Sequence, residues 1–281
     1  MKFTHLISRL IGSPWCIREH ALQTILAAAS LRLSGQAMPM PEEPDDMEDE
    51  DQADDAPHGI AVVNVHGIIG KKLGMMDMMC GGCDIDMVEE ELCAAFESPG
   101  IEAVILAVDS PGGIASGVPE LFEKIVAMRA TTGKKLYSII EQEGCSAGYY
   151  LAAAADRIYA APTAMVGNVG MKMVIQDNSE ANAKAGIKFH VFKSGEFKDI
   201  GARYRSPTEA EAKILQAQGD LLGEKFRSDV LSQRPAVNRA NLEGQPFLGE
   251  QALAAGLVDE LVSGIDELYA RLTPAVPVLG S

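Results

Sequence analysis

A chain of 281 residues, 47% of them hydrophobic and 27 of them glycine, can bury a large core and has the balance of a globular α/β protein. Its 40 acidic against 24 basic residues give a net charge of −16, but ten of the acidic residues fall between Glu42 and Asp55 with no basic residue among them. The rest is only mildly acidic, so nothing suggests a nucleic-acid surface, and no run of about 18 apolar residues exists, so no transmembrane helix is expected.

The opening MKFTHLISRLIGSPW is partly apolar and partly basic, but Ser8, Arg9 and Ser13 break the run too early for a signal-peptide core. A cytoplasmic protein is expected. Ile17, Leu22, Ile25, Leu26, Ala29 and Leu33 recur at helical spacing, so residues 17–34 read as an amphipathic helix within an N-terminal segment, 1–35. Residues 36–58 are proline-bearing and of one charge sign. They read as a disordered acidic linker, either a solvated spacer or a docking arm for a basic partner.

The folded body is expected over residues 59–265. IAVVNVHGII (60–69) is a strand-like run, and residues 84–97 read as a helix with Asp84 or Asp86 at its N-cap. AVILAVDS (103–110) is continuously apolar, as in a strand buried on both faces of a parallel sheet. A helix over 119–133 closed by Gly133, a strand over 135–142, a buried helix over 147–155 and a strand and turn over 157–167 follow. This alternation predicts an α/β fold of stacked βαβ units. A long helix is expected over 206–234, with Ser206 as N-cap, Pro207 at N1 and Glu209 completing a capping box. Residues 244–263 read as strand, helix, strand, and 266–281 as a tail.

Five cysteines at 16, 80, 83, 93 and 145 are an odd number without framework spacing, so no disulfide scaffold is expected. Cys80-Gly-Gly-Cys83 is a lone CxxC without the second ligand pair that a structural zinc needs, so neither a metal nor a cofactor is expected.

Three short motifs carry chemistry. Asp109-Ser110-Pro111-Gly112-Gly113 follows a buried strand, and its glycines let backbone N–H groups approach a ligand, as an oxyanion-hole turn requires. Ser146, in Gly-Cys-Ser-Ala-Gly-Tyr-Tyr (144–150), lies between a strand and a helix, where a serine is either an ordinary N-cap or an exposed nucleophile beside free N–H groups. A nucleophilic serine needs a base. Lys198, in Lys-Ser-Gly-Glu-Phe-Lys-Asp-Ile (193–200), is either a solvated charge or that base. As a base it must be neutral, which takes a downward pKa shift of roughly 3 units from about 10.4.

Together DSPGG, SAGYY and SGEFKDIG resemble the signal peptide peptidase A family of serine proteases over about residues 60–265. The resemblance implies Ser146 as nucleophile, Lys198 as general base 52 residues later, and Gly113 with the Ala147 N–H as oxyanion hole. It implies a ClpP/crotonase-like α/β fold with a helical arm that favours homo-oligomers. The family's usual Thr-Gly-Ser-Ile-Gly turn is here Val166-Gly167-Asn168-Val169-Gly170, so Asn168 stands where a serine hydrogen-bonds the lysine; Asp199 adjoins the base. Pro14-Trp15 ahead of an amphipathic helix is similar to the head maturation proteases of tailed phages, which cleave scaffold and capsid proteins inside the prohead. On that resemblance the partners are protein substrates, with no nucleic acid and no membrane. The substrate is expected as an extended strand beside 112–116, touching Gly112 and Ile114, with the Met-rich residues 74–82 lining its pockets. Two alternatives stay open: a Ser146–His190–Asp199 triad of the ClpP kind, and an inactive relative serving in capsid or portal assembly.

Overall fold

A computed structural model describes residues 14–19, 21–23 and 59–273. The expected linker, most of the expected first helix and residues 274–281 lie outside these. In chain order the elements are β1 (Trp15–Ile17), β2 (Ile60–His66), β3 (Ile68–Gly70), α1 (Met75–Met79), β4 (Gly82–Asp84) and α2 (Ile85–Glu97). Then come β5 (Ala103–Ser110), β6 (Gly112–Ile114), α3 (Val118–Thr132), β7 (Lys135–Cys145), α4 (Ala147–Ala152), β8 (Arg157–Ala160) and β9 (Met165–Gly167). The chain continues through α5 (Ser179–Lys184), α6 (Glu209–Gln233), β10 (Pro246–Leu248), α7 (Gly249–Ala254), β11 (Glu260–Leu261) and α8 (Ile265–Leu272).

The main sheet runs β10-β9-β7-β5-β2. The long strand β7 changes partner along its length: Tyr137–Ile140 pair with β8 and Glu143–Cys145 with β9, both parallel. A smaller sheet has the order β1-β6-β3-β4. This is the mixed α/β fold of stacked βαβ units that the sequence implies.

Strand β5 sits between β2 and β7, which explains its unbroken apolar run. Val104, Leu106 and Val108 point into the main core with Phe96, Leu121 and Tyr150. Ile105 points to the opposite face, where Ile60, Ile139, Tyr159, Val262 and Leu268 form a second cluster. Helix α8 covers that face through Ile265, Leu268, Tyr269 and Leu272. The body therefore runs on to residue 272, not 265: the segment read as the start of a tail is the lid of this second core.

Three local expectations are corrected. Ile17 belongs to a strand, because Trp15–Ile17 pair with β6, and helical backbone begins only after Arg18. The long helix starts at Thr208 rather than Ser206: the Thr208 hydroxyl accepts from the Glu211 N–H at 3.3 Å and Glu211 accepts from the Thr208 N–H at 2.8 Å. Both Ser206-x-x-Glu209 and Thr208-x-x-Glu211 fit a capping box. The second wins because the Arg205 guanidinium also grips Glu211 with two bonds, at 2.6 and 2.7 Å. Residues 75–79 form a short helix, and Met75, Met78 and Met79 do not line the cavity at Ser146. Of the two candidates, Asp84 and Asp86, the N-cap of α2 is Asp84, which accepts from the N–H groups of Lys72, Leu73 and Asp86.

Helix α6 is the arm. Its C-terminal half is anchored by buried Gly223, Phe226 and Val230, whereas Glu211 is the buried residue of its first half.

Candidate active site

Ser146 stands where β7 turns into α4, and its backbone has φ 52 and ψ −117. A non-glycine residue at positive φ costs on the order of 1–3 kcal/mol and persists only where its surroundings fix it. Here the Ser146 N–H donates to the Gly167 carbonyl at 2.7 Å, and its carbonyl accepts from the Tyr150 N–H at 2.9 Å. The hydroxyl makes no capping hydrogen bond. It is not spent on the helix, as an N-cap serine's would be.

The two tyrosines of SAGYY hold the turn from behind. The Tyr149 hydroxyl donates to the Leu257 carbonyl at 2.8 Å, and that of Tyr150 donates to Asp229 on α6. The Tyr150 ring stacks on Phe226 with centroids 4.0 Å apart and planes 3° from parallel.

The glycine turn docks directly on this serine. Gly112 has φ 102, and a Cβ there would lie 2.9 Å from the Ser146 Cβ and 2.1 Å from the Cys16 carbonyl oxygen. A Cβ on Gly148 would lie 2.9 Å from the Ser110 carbonyl oxygen, so the two motifs meet through two missing side chains. The Ser110 hydroxyl donates to the Gly67 carbonyl and accepts from the Gly112 N–H, which fixes the turn. Gly113 lies in β6 beside Ile69 of β3. Ala147 opens α4, so its N–H has no partner within the helix.

A cavity of about 380 Å³ lies in front of Ser146, lined among others by Trp15, Ile17, Asn168, Met171 and Lys172. Asn168 also has positive φ, at 52, and its side-chain amide donates to the Gly244 carbonyl at 2.6 Å, which leaves its oxygen as an acceptor. Ile114 is buried in a small cluster with Trp15, Ile17 and Leu22.

Lys198 and His190 are both exposed and neither lines this cavity. The expected base is thus not in contact with the serine in this conformation. Asp199 accepts from Lys193, Tyr204 and Arg205, not from His190. Lys193 first, then Tyr204 and Arg205, hold its carboxyl well below the usual carboxylate range. Arg205 does the same to Glu211, bringing it to about 2. Asp199 therefore ties the segment carrying Lys198 to the start of α6.

Sequence reasoning missed three elements of the site. The strand Trp15–Ile17 closes one wall, and its three residues are too few for any periodicity to reveal. Lys172 lines the cavity and pairs with Glu19, while Glu143 pairs with Arg18. The buried Cys16 thiol donates to the Met171 sulfur at 3.3 Å, and burial pushes its pKa up to about 12. Among the described residues no group of His, Cys, Asp or Glu could hold a metal ion, and no helix is long and apolar enough to cross a membrane.

A strained serine at a strand-to-helix turn, packed against a glycine turn and lining a cavity, is the arrangement of a serine hydrolase. The chain belongs to peptidase family S49, whose model matches residues 128–278 and so includes Ser146 and Lys198 but not the glycine turn. It is 27% identical over 213 residues to the capsid assembly protease C of Escherichia phage lambda, covering 75% of this chain and 48% of that protein. It is 28% identical over 220 residues to the head-tail preconnector protein GP5 of Enterobacteria phage P21, covering 77% of this chain and 43% of that one. The chain thus spans about half the length of these relatives. Among solved structures, the 1510-N membrane protease of Pyrococcus horikoshii, specific for a stomatin homolog, matches with a TM-score of 0.43 at 15% identity, covering 75% of this chain and 77% of that one.

Proposed function

We propose that the chain is a serine endopeptidase that cleaves scaffold and capsid proteins during phage head maturation, within the prohead in the host cytoplasm. The observation that carries the reading is Ser146: strained, uncapped, lining a cavity and packed against the Gly112-Gly113 turn. Its Oγ attacks the scissile carbonyl carbon, and Lys198 takes the hydroxyl proton. The N–H groups of Gly113 and Ala147 hold the oxyanion. The intermediate collapses, the leaving amine takes the proton back from the lysine, and water then hydrolyses the acyl-serine ester.

For this chemistry Lys198 must swing in from the surface. Its segment carries the exposed apolar side chains of Ile187, Phe189, Val191, Phe192 and Phe197. A neighbouring copy covering them, in a homo-oligomer, supplies a reason for the segment to fold onto the cavity. The match to a phage capsid assembly protease supports the substrate class. A second reading assigns the base to Lys172, because it already lines the Ser146 cavity.

The test is cleavage of the cognate scaffold and shell proteins, followed by mass spectrometry, with wild type, Ser146→Ala, Lys198→Ala, Lys172→Ala and His190→Ala. Loss of all fragments with Ser146→Ala and Lys198→Ala alone is expected. Fragments that persist in Lys198→Ala but vanish in Lys172→Ala move the base. No fragments from folded wild type or from Trp15→Ala, which loosens the strand covering the groove, favour an inactive assembly protein.

A further inference from the structure

The edge of β6 beside Ser146 is already filled by the chain itself. Strand β1 runs antiparallel to it, with Trp15 opposite Ile114, Cys16 opposite Gly113 and Ile17 opposite Gly112. The Ala115 N–H donates to the Pro14 carbonyl at 3.3 Å, and the Arg18 N–H donates to the Pro111 carbonyl at 3.0 Å. These bonded pairs lie two residues to either side of Cys16 and Gly113. The alternation of an antiparallel ladder makes Cys16–Gly113 the bonded pair between them. The Gly113 N–H, assigned to the oxyanion hole, therefore faces the Cys16 carbonyl. On its other edge the segment pairs with Lys172: Trp15 N–H to Lys172 carbonyl at 2.9 Å, and Lys172 N–H to Trp15 carbonyl at 3.0 Å.

Side chains alternate as they would in a bound substrate. Cys16 points to Met171 and into the main core. Trp15 and Ile17 point the other way, into a cluster with Leu22 and Ile114 that is separate from the main core. Ion pairs of Arg18 with Glu143 and of Glu19 with Lys172 close the far end.

We propose that residues 14–18 are a built-in pseudosubstrate: they occupy the substrate groove of the same chain, with Cys16 at the residue whose carbonyl is attacked, and must leave before another polypeptide enters. This rests on the assignment of Ser146 and Gly113 above. A strand that is both intramolecular and held along two edges competes at an effective concentration on the order of millimolar, so a free peptide at micromolar level is excluded. Trp15 and Ile17 anchor it in the small separate cluster and, of its three strand residues, Cys16 alone packs in the main core, so it can detach while taking only one small side chain from that core.

The test uses the full chain and a fluorescein-labelled peptide of residues 12–20. Trp15 is the sole tryptophan, so its emission reports the same event. Wild type is expected to bind the peptide weakly and to show blue emission shielded from acrylamide. Trp15→Ala, which removes the anchor, and Arg18→Glu, which sets a like charge against Glu143, are expected to bind it about tenfold or more tightly. Arg18 is partly exposed, so that variant keeps the core intact and still carries Trp15, whose emission should move to the red. Equal peptide affinity in all three proteins overturns the proposal. So does a wild-type Trp15 as quenchable as that of the free peptide while circular dichroism shows a folded chain. None of these readouts needs catalysis. Loss of the peptidase reading with the plug intact, or the reverse, is seen directly.

Discussion

Phe226 links the arm to the Ser146 turn, and its truncation gives a measurable consequence. Its ring is 1% exposed and stacks on Tyr150, whose ring also meets Phe122 at 5.4 Å and 58°. Phe226→Ala removes a buried aromatic from a packed layer between α3, α4 and α6, which costs about 3–5 kcal/mol. About 0.5–1.5 kcal/mol of that is the ring–ring interaction beyond area burial. Against a total stability of about 5–15 kcal/mol this is a large fraction. Tyr150→Phe keeps the stack and removes only the bond to Asp229, which retains Lys225 at 2.7 Å; a bond to a charged acceptor is worth about 1.5–3 kcal/mol. Urea unfolding followed by far-ultraviolet circular dichroism measures both. The cycle of Tyr150→Leu with Phe226→Leu should show a coupling of about 0.5–1.5 kcal/mol. A cost for Phe226→Ala below about 1 kcal/mol, or no coupling in the cycle, would refute the claim that this stack holds the arm to the turn.

Two further outcomes are expected. Asp199 and Glu211 have folded-state pKa values below their ordinary ones, Glu211 at about 2, so the folded chain binds fewer protons there. Their stabilisation is complete above about pH 4.5 and is lost as pH falls toward 2. Glu211→Gln should have a lower melting temperature at pH 6 and a shallower decline to pH 2 than wild type; parallel curves refute the assignment. Of the cysteines, Cys80 alone is exposed, while burial raises Cys93, raises Cys83 to about 11 and raises Cys16 to about 12. Native protein should show one fast thiol with a disulfide reagent at pH 8, abolished by Cys80→Ser. A fast phase of two thiols contradicts the described burial.

The sequence by itself determined the elements whose signals are local. The apolar run 103–110, an aspartate cap at 84 or 86 and the strand–serine–helix order around Ser146 needed only neighbouring residues, and all stand in the structure as expected, with Asp84 as the cap. The motifs Asp109–Gly113 and Ser146–Tyr150 were legible too, because each packs a turn whose backbone demands small residues. What tertiary structure alone decided depends on residues far apart in the chain. The choice of Thr208 over Ser206 as cap needed Arg205 to fold back on Glu211, and α8 became a lid because Leu268 found Ile105. The exposed place of Lys198 reflects where Asp199 is tied, a contact that spacing does not encode. The filling of the β6 edge by Trp15–Ile17 is the extreme case. Its partners lie about a hundred residues away, and a three-residue strand has no period to read; only the register of the folded sheet sets Cys16 opposite Gly113 and beside the Gly112 turn that meets Ser146.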